Sequence, residues 1–215
     1  YNMNIAIYWI QKDYGGVDTH LITLLNNWPN KNDNFILFTN YDNNGYLSIK
    51  EKIPKDIKLE VIKVKSGWFN NKLFFFKLLK LFEFFFFPIY FYFLKAASSN
   101  ELKNRDIDIL FVDNGGYPGS WKSLASLWAA QKLGILKRVL LIHHGSLHNN
   151  IIRRVGEKIV DFKISNWATD IITVSRATRK TLIDHRGWNP ARNPIRVIHN
   201  GFDRASGFEG NKNLD

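Results

Sequence analysis

Cysteine is absent from the 215 residues, which excludes disulfides and any zinc site built on thiolates. The chain contains no internal repeat, and its first apolar run, Ile5 to Ile10, is too short for a signal peptide and lacks a cleavage pattern. No Ser-His-Asp spacing, paired carboxylates or metal-ligand cluster stands out, which argues against hydrolase chemistry. The dinucleotide pattern GxGxxG is missing, because the first glycine-rich loop reads Tyr14-Gly15-Gly16-Val17. Acidic residues are scarce: 19 against 30 lysines and arginines, a formal net charge of +11. That surplus attracts something anionic, whether nucleic acid, an acidic membrane face or a phosphorylated substrate. No helix-turn-helix or aromatic RNA-binding signature accompanies it, so nucleic acid is not expected as a partner.

What is present is ample core material, 45% hydrophobic residues, and a length that suits one large domain. The pattern is clearest from Asp108 to Ser146. Ile109 to Val112 is a short apolar run closed by Asp113-Asn114-Gly115-Gly116, as expected of a strand buried on both faces. Trp121 to Leu133 sets Trp121, Leu124, Ala125 and Trp128 on one helical face, and Gly134 stops it. A second apolar run, Val139 to Ile142, ends in His143-His144-Gly145-Ser146. Strand, crossover helix and strand make a right-handed parallel unit, whose ligand crevice lies at the strand C-termini. Both polar clusters fall at that edge.

The flanking chain repeats the alternation. Asn4 to Ile10 reads as a strand, followed by the Gly15-Gly16 loop and a helix from Val17 that Asp18 or Thr19 can cap. Phe35 to Phe38 and Leu59 to Val64 read as further strands, separated by the turn cluster Asn40 to Gly45. Asn149 to Asn166 has helical spacing with a basic side that includes Arg153, Arg154 and Lys158. Ala168 to Val174 is a strand, Ser175 caps a helix over Arg176 to His185, and Ile195 to Ile198 is a last short strand. The sum is an α/β fold: a Rossmann-like, doubly wound, mostly parallel sheet of about seven strands with helices on both faces. Residues 1–203 make that domain, and the polar, aperiodic segment 204–215 reads as a linker or the start of a C-terminal donor domain.

Lys72 to Lys95 is unlike the rest, with ten phenylalanines in one stretch. Lys77, Lys80 and Glu83 sit mid-span and Pro88 interrupts it, which argues against a transmembrane helix. In helical projection Lys72, Lys77, Lys80 and Glu83 share an arc of roughly 140°, opposite a face of Phe and Leu. Two readings stand: an interfacial helix that sets Lys77, Lys80, Phe85 and Phe86 against an anionic membrane, or a crossover helix buried on the sheet.

Three segments together resemble the N-terminal half of a retaining glycosyltransferase of family 4, with the GT-B fold. They are GGVDTHLITLL after the first strand, ATDIITVSRATRKTL, and IRVIHNGFD near the end. The His-Gly pair after the fifth strand also fits, whereas His199 stands where proline is usual. The resemblance implies transfer of a sugar from a nucleotide-sugar donor to an acceptor, with no cofactor or metal required. It assigns acceptor binding to this half and donor binding to a C-terminal domain with a Glu-x7-Glu pair. No such pair occurs at the expected place here, so the chain by itself is expected to be inactive.

By the same resemblance Gly15 and Gly16 approach the donor phosphate or sugar, which needs main chain without a Cβ. An ordinary strand-helix turn would use the same glycines. His144 matches the histidine that touches the transferred sugar; His143 competes, because consecutive strand residues face opposite ways and only one enters the crevice. Asn114, Gly115 and Gly116 line the acceptor cleft, or serve as turn residues only. Arg153 and Arg154 suit an acceptor or lipid phosphate, though a solvated basic face is the commoner arrangement. His20 is equally a helix-face residue or a ligand. Asn200 and Gly201 fall at the domain junction. With the basic, Phe-rich stretch, the acceptor expected is a lipid-linked sugar or envelope polysaccharide glycan, at the cytoplasmic face of the cell membrane. A non-catalytic membrane-docking or partner-binding module, or a sugar-nucleotide epimerase fragment, remains as the alternative. The epimerase needs cleft carboxylates, for which the loops offer Asp113 and little else.

Overall fold

The computed structural model describes residues 2–66, 86–148, 154–192 and 194–201. Lys77, Lys80, Phe85, Arg153 and the segment 204–215 lie outside the described residues, and Arg154 is described by its backbone only. Seven strands form one sheet: β1 (Asn4–Trp9), β2 (Asn34–Asn40), β3 (Lys58–Val64), β4 (Ile109–Asn114), β5 (Lys137–Ile142), β6 (Asp170–Thr173) and β7 (Ile195–Val197). Between them run α1 (Gly16–Asn26), α2 (Tyr46–Lys52), α3 (Phe87–Leu102), α4 (Trp121–Lys132), α5 (Arg154–Trp167) and α6 (Arg176–Arg186). The strand order is β3-β2-β1-β4-β5-β6-β7, and every pairing is parallel.

That order dictates where the helices lie. Right-handed crossovers from β1 through α1 to β2, and on through α2 to β3, travel one way along the sheet and use one face. The connection through α3 to β4, and those through α4, α5 and α6, travel the other way and use the opposite face. Alternate residues of β1 record the split. Ile5, Ile7 and Trp9 pack with Val17, Leu21 and Leu25 of α1 and Ile49 of α2. Ala6 and Tyr8 face the larger core, with Phe91 of α3, Leu124 of α4, Ile164 of α5 and Leu182 of α6. Each fully buried aliphatic or aromatic side chain of this kind contributes about 1.5–3 kcal/mol.

Two elements differ from the sequence expectation. The turn cluster Asn40 to Gly45 is followed by α2, a helix of seven residues of which Ile49 is buried, too short for its period to stand out. The described part of the Phe-rich stretch belongs to α3, in which Pro88 occupies the first turn rather than breaking the helix, since a proline there forfeits no intrahelical bond. Phe87, Tyr90, Phe91 and Leu94 point into the core. The Phe91 ring stacks on Trp167 at 5.6 Å, and Trp167 stacks on Trp128 at 5.4 Å. A Cβ on Gly156 would lie 2.5 Å from the Phe87 ring, so that glycine lets α5 approach α3. This half of the stretch is a crossover helix packed on the sheet. Its other face leaves Phe86, Ile89, Tyr92 and Phe93 exposed.

Candidate functional site

The strand order reverses between β1 and β4, and the loops leaving their C-terminal ends open the crevice expected at such a switch point. Gly15 is extended and forms the N-cap of α1, whose first residue, Gly16, lies one position before the expected Val17. It has no capping side chain; instead the buried Asp18 carboxylate accepts from its amide at 2.6 Å and also bonds Gln11. Burial raises the Asp18 pKa, against the hydrogen bonds from Gly15 and Gln11 that lower it. A Cβ at Gly15 or Gly16 would meet nothing within 4 Å, so the space above this loop is open.

The β4 loop closes against the other two. A Cβ at Gly115 would touch Val17 at 3.5 Å, and one at Gly116 would touch the Gly145 carbonyl at 3.6 Å and His144 at 3.8 Å. The β4 and β5 loops are joined by the His144 amide, which donates to the Gly115 carbonyl, and Gly115 lies against the first turn of α1. Asn114 has a different part. It is buried; its amide donates to the carbonyls of Gly116 (2.7 Å) and Pro118 (2.9 Å) and accepts from the Ser120 amide. Asn114 shapes the loop, with both amide hydrogens and its oxygen bonded to main chain.

The two histidines separate as strand alternation requires. His144 is exposed, and its main-chain amide donates to Gly115 at 2.6 Å. His143 is buried, with Nε2 at 2.6 Å from Asp113 Oδ1 and Nδ1 at 3.3 Å from the Asn200 side chain. Asp113 also faces His20, whose Nδ1 lies 3.5 Å from Oδ2, and the two imidazoles meet edge to face at 4.7 Å. Burial alone would raise the Asp113 pKa, but hydrogen bonds from His143 and His20 hold it below its usual value. Three residues from three segments thus form one polar cluster beneath the loops. His20 and Asp113 lie 93 positions apart, and nothing in their local sequence announces the meeting. The neighbourhood of β1 and β4 in the sheet creates it. Of the two junction residues, Asn200 reaches this cluster and Gly201 stands exposed.

Behind the β5 loop a second polar group fixes the scaffold. Ser146 bonds Thr181 through its amide (2.8 Å) and its hydroxyl (2.6 Å), and its carbonyl accepts from His185. Arg186, buried, reaches Glu157 at 2.8 Å and Asp161 at 3.0 Å, and Tyr117 donates to the same Asp161 oxygen. Away from this edge, an apolar groove of about 430 Å³ runs between α3, α4 and α5, lined by Phe91, Trp128, Ile159 and Trp167 with Lys132 and Lys163. No helix among the described residues is long and apolar enough to cross a membrane.

The family model of glycosyltransferase family 4 matches residues 14–206. No curated protein matches the chain. Among solved structures, a glycosyltransferase from Rickettsia africae ESF-5 is similar with a TM-score of 0.58 and 15% identity, over 94% of this chain and 44% of that one. A UDP-glucosyltransferase from Polygonum tinctorium gives 0.51 and 10% over 100% and 55% of the two chains. A protein assigned as a UDP-N-acetylglucosamine 2-epimerase, from Listeria monocytogenes, gives 0.50 and 12% over 91% and 44%. At these identities the likeness concerns the fold alone, and the chain spans about half the length of these structures.

Proposed function

This chain belongs to glycosyltransferase family 4, and we propose that it is the acceptor-binding half of a retaining, two-domain sugar transferase. The observation that carries the reading is the convergence of Gly15-Gly16, Gly115-Gly116 and His144 at the β1/β4 switch point, with open space over the first pair. In this reading the Gly15-Gly16 main chain approaches the donor phosphate, and His144 hydrogen-bonds a hydroxyl of the transferred sugar. His143 is a poorer candidate because both of its ring nitrogens are engaged inside the protein.

A C-terminal domain following this chain would hold the nucleotide. The acceptor hydroxyl oxygen bonds to the anomeric carbon as the bond to the donor phosphate breaks, and the hydroxyl proton passes to the departing phosphate oxygen. Positioning and charge stabilisation across the interdomain cleft supply the rate. No organic cofactor enters these steps.

The acceptor we infer is a lipid-linked sugar or an envelope polysaccharide, met at the inner face of the cell membrane. The net charge of +11 and the exposed Phe86, Ile89, Tyr92 and Phe93 of α3 support that choice. Arg153 and Arg154 stay candidates for an acceptor phosphate. An epimerase would need carboxylates free in the cleft, whereas both Asp113 oxygens are engaged by histidines.

The test uses the polypeptide in which this chain is joined to its donor domain, assayed with a panel of nucleotide sugars and membrane-extracted acceptors. Transfer is expected with one of them. His144→Ala should lower kcat by about a hundredfold and leave the unfolding midpoint unchanged. Absence of transfer with every donor would remove the reading, and full activity of the variant would remove the role given to His144.

A further inference from the structure

We propose that His20, Asp113 and His143 form a binding site for a divalent transition-metal ion of the zinc class, which clips together the loops at the C-terminal edge of the sheet. One ligand atom from each residue lies within 4.8 Å of the others. Two imidazoles and a carboxylate are the donor set of a three-ligand zinc site with a fourth position left for water or a ligand. Tetrahedral ligands about 2.0–2.1 Å from zinc stand roughly 3.3 Å from one another. The His20–Asp113 separation of 3.5 Å, to Oδ2, already matches; His143 stands 2.6 Å from the other carboxylate oxygen, and the three ligand atoms, which span up to 4.8 Å, have to draw together by about 1.5 Å at their widest.

The surroundings supply what such a set requires. Asp113 is completely buried and His143 nearly so, which holds two donors in fixed orientations, while the His20 side chain is 14% exposed and gives an ion a way in from solvent. Asn200 touches the far nitrogen of His143. With an ion on Nε2, that far nitrogen carries the proton, and a half-turn of the Asn200 amide presents its oxygen to accept it. A ligating histidine is commonly oriented by a hydrogen bond of this kind. The three ligands come from α1, the end of β4 and the residue after β5, so one ion would tie the α1 layer to the centre of the sheet. The site is independent of glycosyl transfer and stands or falls by itself.

The experiment titrates the chelator-stripped 215-residue chain with Zn²⁺ by calorimetry and with Co²⁺ by visible absorption. One equivalent of Zn²⁺, and an intense tetrahedral Co²⁺ spectrum, are the expected results. His20→Ala should weaken binding at least a hundredfold and abolish the rise in Tm that Zn²⁺ gives the parent. Its partial exposure makes it the variant of choice, since Asp113→Asn risks unfolding. Asn200→Ala should weaken binding about 10- to 100-fold. The His148 and His185 rings, 4.0 Å apart, are the competing surface site, and replacing both by alanine should leave binding intact. Failure of the parent to bind either ion would overturn the proposal. So would affinity that survives His20→Ala or is lost with the His148 and His185 pair.

Discussion

At the scale of single residues, buried charge has the largest consequences. Arg186 is enclosed with Glu157, Asp161 and Tyr117. Burial would lower its pKa, but the nearby Asp161 carboxylate raises it, so the guanidinium stays charged. Arg186→Met therefore removes the cation that neutralises two buried carboxylates and should cost about 3–5 kcal/mol in urea unfolding. Lys180→Ala, which removes an exposed pair with Asp184, should cost under about 0.5 kcal/mol; equal losses would refute the distinction. Two glycines make a second contrast. Gly119 has φ +60°, and a Cβ there would come within 2.3 Å of Asn114 Oδ1. Gly119→Ala should cost about 1–3 kcal/mol and loosen the β4 loop. Gly16→Ala meets nothing, so stability should hold within about 0.5 kcal/mol while donor affinity in the complete enzyme falls. If stability fell equally in both, the Gly15-Gly16 loop would be a turn and nothing more. The Ser175 cap, which accepts from the Thr178 amide at 3.0 Å, and the glycine loop were legible from sequence because local chemistry decides them. The role of Asn114 was not, since burial of its amide depends on how residues 116–120 fold back.

At the scale of elements, Asp170 joins three strands. It begins β6, bonds Lys137 of β5 at 2.7 Å and Arg196 of β7 at 3.1 Å. The Lys137 bond lowers its pKa despite burial, and Thr169 and Arg196 lower it further. A carboxylate lowered in the folded state stabilises fully above its unfolded pKa, about 3.9, and that contribution is lost as pH falls through the folded value. Both cations are more than half exposed, so screening keeps the effect to about 1 kcal/mol. Asp170→Asn should thus be less stable than the parent at pH 7 and approach it below about pH 4. A gap of the same size at pH 3 would assign the loss to packing instead. Strands were legible to within one or two residues because the central runs are apolar and buried on both faces, while at the edge strand β3 the exposed Lys58, Glu60 and Lys63 alternate with more buried apolar residues. Helix α2 was missed because seven residues with one buried position carry no readable period, and the interruption expected at Pro88 falls in the first turn of α3.

At the scale of the molecule, the outward side of α3 and the excess positive charge predict attachment to anionic vesicles. Co-sedimentation should occur with anionic lipid only, weaken at high salt, and drop when Phe86 and Phe93 become serine. Binding to neutral vesicles alone, or to neither, would remove the membrane from the account. The edge at which the site lies was legible, since strand C-termini follow from the βαβ pattern. The cluster of His20, Asp113 and His143 was not, because its members meet only once β4 (Ile109–Asn114) has paired with β1 (Asn4–Trp9) across nearly half of the chain.

The two faces of the sheet also carry unequal cover. Among the described residues, four helices share the larger core, whereas α1 and α2 close the smaller one. Amides of the thin side should then exchange with deuterium sooner than those of α4 and β5, since local opening follows the apolar contacts that hold an element down. The Gly15-Gly16 loop hangs from that thinner side. Anything that bridges it to the loops after β4 and β5 would close the least protected part of the molecule, so occupancy of the crevice should be readable as slowed exchange in α1.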